Sequence, residues 1–130
     1  VSNIGELSAL VALTHCLIVD LDRRLEAGEQ LPVMPPWHVQ ENKWRAARYG
    51  LDAIIILDAD SNERPVTEDL DDLLNRLEPV AKSLECADEL AAVAEIPRRG
   101  ASYQRQRRVA DAHGGDLRAV VDSLVRELDV

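Results

Sequence analysis

The chain has 130 residues, 46% of them hydrophobic and 30% charged, and a formal net charge of −9. That length suits one domain around one core, and the acidic balance argues against a general nucleic-acid binder, because a polyanion is repelled on average. Two Trp, two Tyr and no Phe leave the core to Leu, Val, Ile and Ala, which favours packed helices over a β-sandwich with aromatic strands.

Asn3 and Glu6 stand three apart before an apolar run, a capping-box pattern. The helix they open is expected to run to about Ala27 and stop at Gly28. Between Leu7 and Leu21 it is apolar on nearly every side, which predicts a central, buried helix with His15 as a hydrogen-bonded core histidine. Ser8, Thr14, His15 and Asp20 interrupt the run, so it reads as too short and too polar for a membrane span. No signal with a basic start and a cleavage site precedes it, and a cytoplasmic protein is expected. A buried helix this near residue 1 suggests a piece of something larger. Cys16 and Cys86 fall in apolar helical patterns and read as buried free thiols, with a disulfide or redox role as the alternative. No Cys-x-x-Cys or His/Cys ligand spacing exists, so no metal ligands are assigned.

A proline-rich connector over 29–36 leads into the stretch Pro36–Gly50, which reads as a helix of about four turns between a proline start and a glycine stop. Projected at about 100° per residue, Val39, Lys43, Trp44, Ala46 and Ala47 share one side. His38, Glu41, Asn42, Arg45, Arg48 and Tyr49 share the other, with Trp37 and Trp44 along one border. A solvated surface is the plain reading of such an arc. Its amide, imidazole, phenol and guanidinium groups instead suit an anion-binding face, since arginine forks grip carboxylate or phosphate oxygens in pairs.

Ala53–Leu57 is short and β-branched and predicts a strand buried on both faces, with Asp58–Asn62 as a turn and Glu63–Val66 returning as a second strand. Asp58, Asp60 and Asn62 match three positions of an EF-hand calcium loop, but Glu63, Pro65 and Asp69 break the rest of it. An acidic hairpin turn is the better reading. Thr67 is expected to cap a helix carrying Leu70, Leu73, Leu74, Leu77, Val80, Ala81 and Leu84, kinked at Pro79. A further helix is expected from about Ala87 to Arg98, turning Leu90, Ala91, Val93 and Ala94 inward. The segment 97–108 then holds five arginines and no acid, a local basic patch suited to a small anion. Its helix runs from Ser102 to His113, and after Gly114–Gly115 a last helix is expected to bury Leu117, Val120, Val121, Leu124, Val125 and Leu128. The fold class is therefore mainly α: about six packed helices with one small β-hairpin.

Two stretches carry a family likeness. Pro35-Pro36-Trp37-His38 with Glu41-Asn42-Lys43-Trp44-Arg45-Ala46-Ala47-Arg48-Tyr49-Gly50-Leu51-Asp52-Ala53 resembles the corresponding part of the ATP-dependent carboxylate–amine ligases of the type 2 glutamate–cysteine ligase family. Gly100, Arg105-Gln106-Arg107 and Gly115-Asp116-Leu117-Arg118-Ala119-Val120-Val121 resemble that family's C-terminal end in order and spacing.

The resemblance implies an enzyme that activates the γ-carboxylate of glutamate with ATP, through an acyl phosphate, and passes it to an amine such as cysteine, in glutathione-type biosynthesis. It implies ATP and Mg2+ as cofactors, with the magnesium ligands upstream of this chain. Residues 1–130 would then be a single C-terminal helical portion of a larger α+β enzyme, inactive alone, with its catalytic sheet upstream. Its partners would be small-molecule substrates and the rest of the parent chain, with a homo-oligomer left open and neither nucleic acid nor membrane expected.

Phosphoryl transfer develops negative charge that positioned cations stabilise. Asn42, Lys43, Arg45 and Arg48 are the expected phosphate- or carboxylate-binding residues, with Arg105 and Arg107 as a second cationic wall. Lys43 leaves the helix opposite Arg45, so not all can face one ligand. No catalytic residue is assigned. For any single arginine, pairing with acids of neighbouring helices is the competing role. The competing function is a non-catalytic helical module that binds an acidic partner through its arginine-rich segment.

Overall fold

A computed structural model describes residues 2–128. In order these form α1 (Ile4–Glu26), α2 (Pro36–Tyr49), a 3-10 turn (Gly50–Asp52), β1 (Ile54–Ile56), β2 (Glu63–Pro65), α3 (Val66–Ser83), α4 (Ala87–Ala92), α5 (Glu95–Arg99), α6 (Ser102–Ala112) and α7 (Leu117–Leu128). The mainly helical architecture with one small hairpin is as the sequence implied. The core lies where α1 meets α3 and α4, around Cys16, Leu77, Val80, Ala81 and Leu90.

α1 starts as its sequence predicts, with Asn3 Oδ1 accepting the Glu6 N–H at 2.7 Å. Glu6 does not close the box onto Asn3; its carboxylate accepts the Ser2 N–H at 3.1 Å. The expectation of a helix buried all round is corrected. Ala9, Ala12 and Cys16 face the core, while Ile4, Leu7, Val11, Ile18 and Leu25 are exposed, because α3 and α4 cover one side only. His15 is exposed too and is no core histidine. Nor do length and polarity exclude a span. α1 has 23 residues and a mean hydropathy of 1.7 over an 18-residue stretch, long and apolar enough to cross a membrane.

β1 and β2 pair antiparallel, with Ile54 opposite Pro65 and Ile56 opposite Glu63. The strand is not buried on both faces along its length: Ile56 is inside, Ile54 on the same face is exposed, and Ile55 on the other face is half-buried. α3 begins at Val66 with Pro65 at its N-cap, so Thr67 lies inside the first turn and is not the cap, and the Val66 N–H donates to Ala53 O at 2.9 Å. The helix continues through Pro79 to Ser83. The single helix expected over 87–98 is instead two, parted at Val93 and Ala94. Proline lacks an N–H for the carbonyl four residues back and its ring crowds it. Pro97 places that break at Val93.

The last correction concerns α7. Of its six expected core residues only Val120 is buried, and Leu117, Val121, Val125 and Leu128 are exposed. Among the described residues α7 rests chiefly on α6.

Candidate functional site

Pro36 occupies the first turn of α2 and Gly50 ends it, so the helix bounds follow from those two residues. Its orientation does not. His38, Glu41, Asn42 and Arg45 of the polar arc face the protein, Arg48 and Tyr49 at its end are exposed, and the side bearing Val39, Trp44, Ala46 and Ala47 faces outward. His38 is completely buried, with Nε2 3.1 Å from Ser61 Oγ in the hairpin turn. One turn on, the Asn42 amide brackets a single residue of β1. Its Nδ2 donates to Ile56 O at 2.8 Å, and its Oδ1 accepts the Ile56 N–H at 2.8 Å.

Arg45 continues the row. Its Nε donates to Glu41 Oε1 at 2.8 Å, and its Nη1 donates to Glu63 Oε1 at 2.6 Å and to Ile54 O at 3.0 Å. The hairpin, too short to stand alone, is thus held by three successive polar side chains of α2. Replacing Asn42 with Ala leaves a buried N–H and C=O of Ile56 unpaired, so chemical denaturation is expected to show a loss of about 2 kcal/mol.

Two hollows flank this row. One of about 540 Å³ is lined by Pro36, Trp37, Gln40, Glu41 and Trp44. The other, about 410 Å³, lies between Trp44, Tyr49, Asp52 and Ile54, with the Arg45–Glu63 pair at its wall. Arg45 therefore borders a cleft, but with its guanidinium already paired to two carboxylates.

The second cationic group divides in the same way. Arg105 is mostly buried, its Nη2 3.1 Å from Glu127 Oε2 and 2.7 Å from Glu6 Oε1. It also donates to Ser2 Oγ at 2.6 Å and to Gly100 O. One side chain thus ties the start of α1, the turn before α6 and the end of α7. Arg105, with a hydrogen bond from Ser2 Oγ, holds the Glu127 carboxyl below its ordinary value of 4.5. A lowered carboxylate pKa stabilises the fold above the unfolded-state value and loses that contribution as pH falls through the folded-state value. Acid titration of Glu127→Gln should therefore show a flatter stability loss below about pH 4.5 than the parent.

Arg107, two residues on, leaves the opposite side of α6. It is exposed, and its Cζ lies 5.6 Å from the Tyr103 ring centroid. Arg48 is its counterpart on α2, exposed and 5.8 Å from the Tyr49 ring. Among the described residues Lys43, Arg48 and Arg107 form no ion pair. Lys43 projects from the outward side of α2, away from the Arg45 row.

What joins the two arginine–tyrosine stacks is Gly50. A Cβ there would lie 2.6 Å from Tyr103 Oη and 2.9 Å from its Cε1, so the first turn of α6 is seated on the end of α2. Gly50 also has φ +57° with ψ −125°, a conformation that L side chains rarely adopt. Gly50→Ala is expected to cost about 2 kcal/mol and to unseat Tyr103, read as a lower Tm and a changed tyrosine signal in near-UV circular dichroism. The sequence flagged Gly50 only as a helix stop; nothing in it signalled Tyr103 as the partner.

Of the arginines in the basic run, Arg98 is paired to Glu95 and Arg108 donates to the carbonyl of Arg99, which leaves the patch less uniform than its composition suggests. Asp58 is engaged in its own turn, accepting from the Asp60 and Asn62 N–H groups and from Asn62 Nδ2. Asn62, through its side chain first, holds the Asp58 carboxyl below its ordinary value. Among the described residues no three His, Cys, Asp or Glu side chains gather to hold a metal ion.

Comparison with known sequences bears on what these groups serve. The sequence model of glutamate-cysteine ligase family 2 matches residues 1–123. The chain belongs to that family. A protein of Mycolicibacterium paratuberculosis named "Putative glutamate--cysteine ligase 2" is 82% identical over all 130 residues, which make up 35% of that relative. A protein of the same name from Mycobacterium avium is also 82% identical, with 34% of its length covered. "Putative glutamate--cysteine ligase 2-1" of Mycobacterium sp. strain KMS is 83% identical, with 35% covered. The chain thus spans about a third of the length of the curated relatives it matches. No solved structure matches it.

Within the family framework, the six expected contact residues fall into two groups. Asn42, Arg45 and Arg105 are engaged in holding the fold together. Lys43, Arg48 and Arg107 are exposed, and the last two flank one helix-to-helix contact.

Proposed function

We propose that this chain is the C-terminal portion of an ATP-dependent ligase that joins the γ-carboxylate of glutamate to an amine such as cysteine. The observation that carries the reading is the family match over residues 1–123, joined to relatives named as ligases. When bound, ATP supplies the phosphoryl group that turns a carboxylate into a reactive acyl phosphate. The chain's own part is electrostatic. Arg48 and Arg107, without an ion pair among the described residues and steadied on Tyr49 and Tyr103, present guanidinium forks to phosphoryl or carboxylate oxygens. Asn42, Arg45 and Arg105 are positioning residues: the first two fix α2 on the hairpin, and Arg105 fixes α6. Lys43, facing the other way, contacts a different part of the enzyme or none. Magnesium finds no ligand set among the described residues; its ligands belong, in this reading, to the longer remainder of the polypeptide.

The exposed apolar rows of α1 and α7 support a larger assembly. Ile4, Leu7, Val11 and Ile18 on one helix, with Leu117, Val121 and Val125 on the other, are what an interdomain contact buries. We assign these rows to contact with the remainder of the parent chain. The experiment is ATP-dependent ligation by the full-length protein with glutamate and a panel of amino acids as acceptors. ADP formation that requires both glutamate and one acceptor supports the reading. ATP turnover indifferent to glutamate contradicts it.

A further inference from the structure

Cys16 and Cys86 are 70 positions apart, yet their sulfurs lie 3.6 Å from each other. Cys16 sits on the buried side of α1, and Cys86 lies in the turn between α3 and α4. Both are free thiols, Cys16 wholly enclosed and Cys86 half-buried. A disulfide needs about 2.05 Å between sulfurs, so closure requires roughly 1.5 Å of approach. Cys16 is held within α1, whereas Cys86 is in a connection between helices. Glu85 before it has φ +56°, and Cys86 itself lies outside regular helix at φ −127° and ψ 31°. Among the described residues no group of three or more His, Cys, Asp or Glu could hold a metal ion, so a metal does not explain the contact.

We propose that Cys16 and Cys86 form a thiol–disulfide exchange site for low-molecular-weight disulfides, Cys86 attacking first and Cys16 resolving. The assignment does not rest on the ligase reading. In the first step the Cys86 thiolate attacks one sulfur of the small disulfide. The S–S bond breaks, Cys86 becomes a mixed disulfide, and the departing thiolate takes up the proton that Cys86 released. In the second step Cys16 loses its proton and attacks Cys86 Sγ. The Cys16–Cys86 bond forms, the mixed disulfide breaks, and the second small thiolate leaves and is protonated. Two protein thiols are oxidised to one disulfide, and one small disulfide is reduced to two thiols.

The order follows from the surroundings. Burial first, and then the neighbouring Cys86, push the Cys16 thiol up to about 11, so it remains protonated while Cys86 is free. Once Cys86 carries the mixed disulfide, the part due to its thiol is gone and only burial opposes the second step. The product would staple α1 to the α3–α4 turn, across the contacts that form the core. It closes a long loop, which restricts the unfolded chain.

The test uses the intact protein incubated with excess oxidised glutathione, quenched in acid, alkylated and digested for mass spectrometry. The expected product is a Cys16–Cys86 cross-linked peptide, reversed by dithiothreitol, with Tm raised by about 5–10 °C. Cys16→Ala should accumulate glutathione on Cys86, whereas Cys86→Ala should leave Cys16 alkylatable only after unfolding. Should Cys16→Ala fail to fold, the cross-link in the parent and the Cys86→Ala result still decide the matter. Full alkylation of both thiols after glutathione treatment would overturn the proposal. So would a mixed disulfide on Cys86 that never resolves in the parent, or equal glutathionylation of Cys16 in Cys86→Ala.

Discussion

Arg105→Ala is expected to lower stability by about 3 kcal/mol, because removing one member of a buried ion-pair network leaves the others charged and unpaired. Glu6 and Glu127 would face each other across the vacated space, and Gly100 O and Ser2 Oγ would lose their donor. The effect should exceed that of Arg107→Ala by far, although the two residues are neighbours in sequence and alike in chemistry. Urea unfolding of both variants checks it. A conservative Arg105→Lys change should recover only part of the loss, since a single ammonium cannot reproduce a fork that reaches several acceptors at once. Equal stabilities for Arg105→Ala and Arg107→Ala would mean that the network joining α1, α6 and α7 is not formed.

The contrast between those neighbours shows where sequence reading stops. Helical spacing puts Arg105 and Arg107 on different sides of α6 from the letters alone. Which side is inside depends on α1 and α7, whose placement no local pattern records. The same holds for α2. Its bounds were legible because proline and glycine act through their own backbone chemistry. The grouping of His38, Asn42 and Arg45 was legible because it follows from helical geometry. That this polar side is the buried one was not, because polarity is ordinarily a sign of solvent and here the partner is a hairpin with unpaired backbone groups. α1 and α7 fail in the opposite direction: apolar rows predict burial, but the rows are exposed where no described element reaches them. The Cys16–Cys86 contact had no local signal at all, being a product of how α1 crosses the α3–α4 turn.

If the guanidiniums of Arg48 and Arg107 serve the ligase, their loss must appear in chemistry and not in folding. Neither Arg48 nor Arg107 forms an ion pair among the described residues, so neutralising either should leave the melting curve nearly unchanged. Removing one donor to a developing oxyanion typically slows turnover by about 100-fold or more. The same loss caused through a positioning residue would arrive with a lowered Tm, as expected for Arg105→Ala. The most direct measurement is therefore kcat and KM for ATP-dependent ligation by the full-length enzyme carrying Arg48→Gln or Arg107→Gln, with Tm recorded on the same samples. A fall of about 100-fold in kcat/KM at constant Tm is the predicted result. Wild-type kinetics in both variants would contradict the assignment of these side chains to the oxyanions of the reaction.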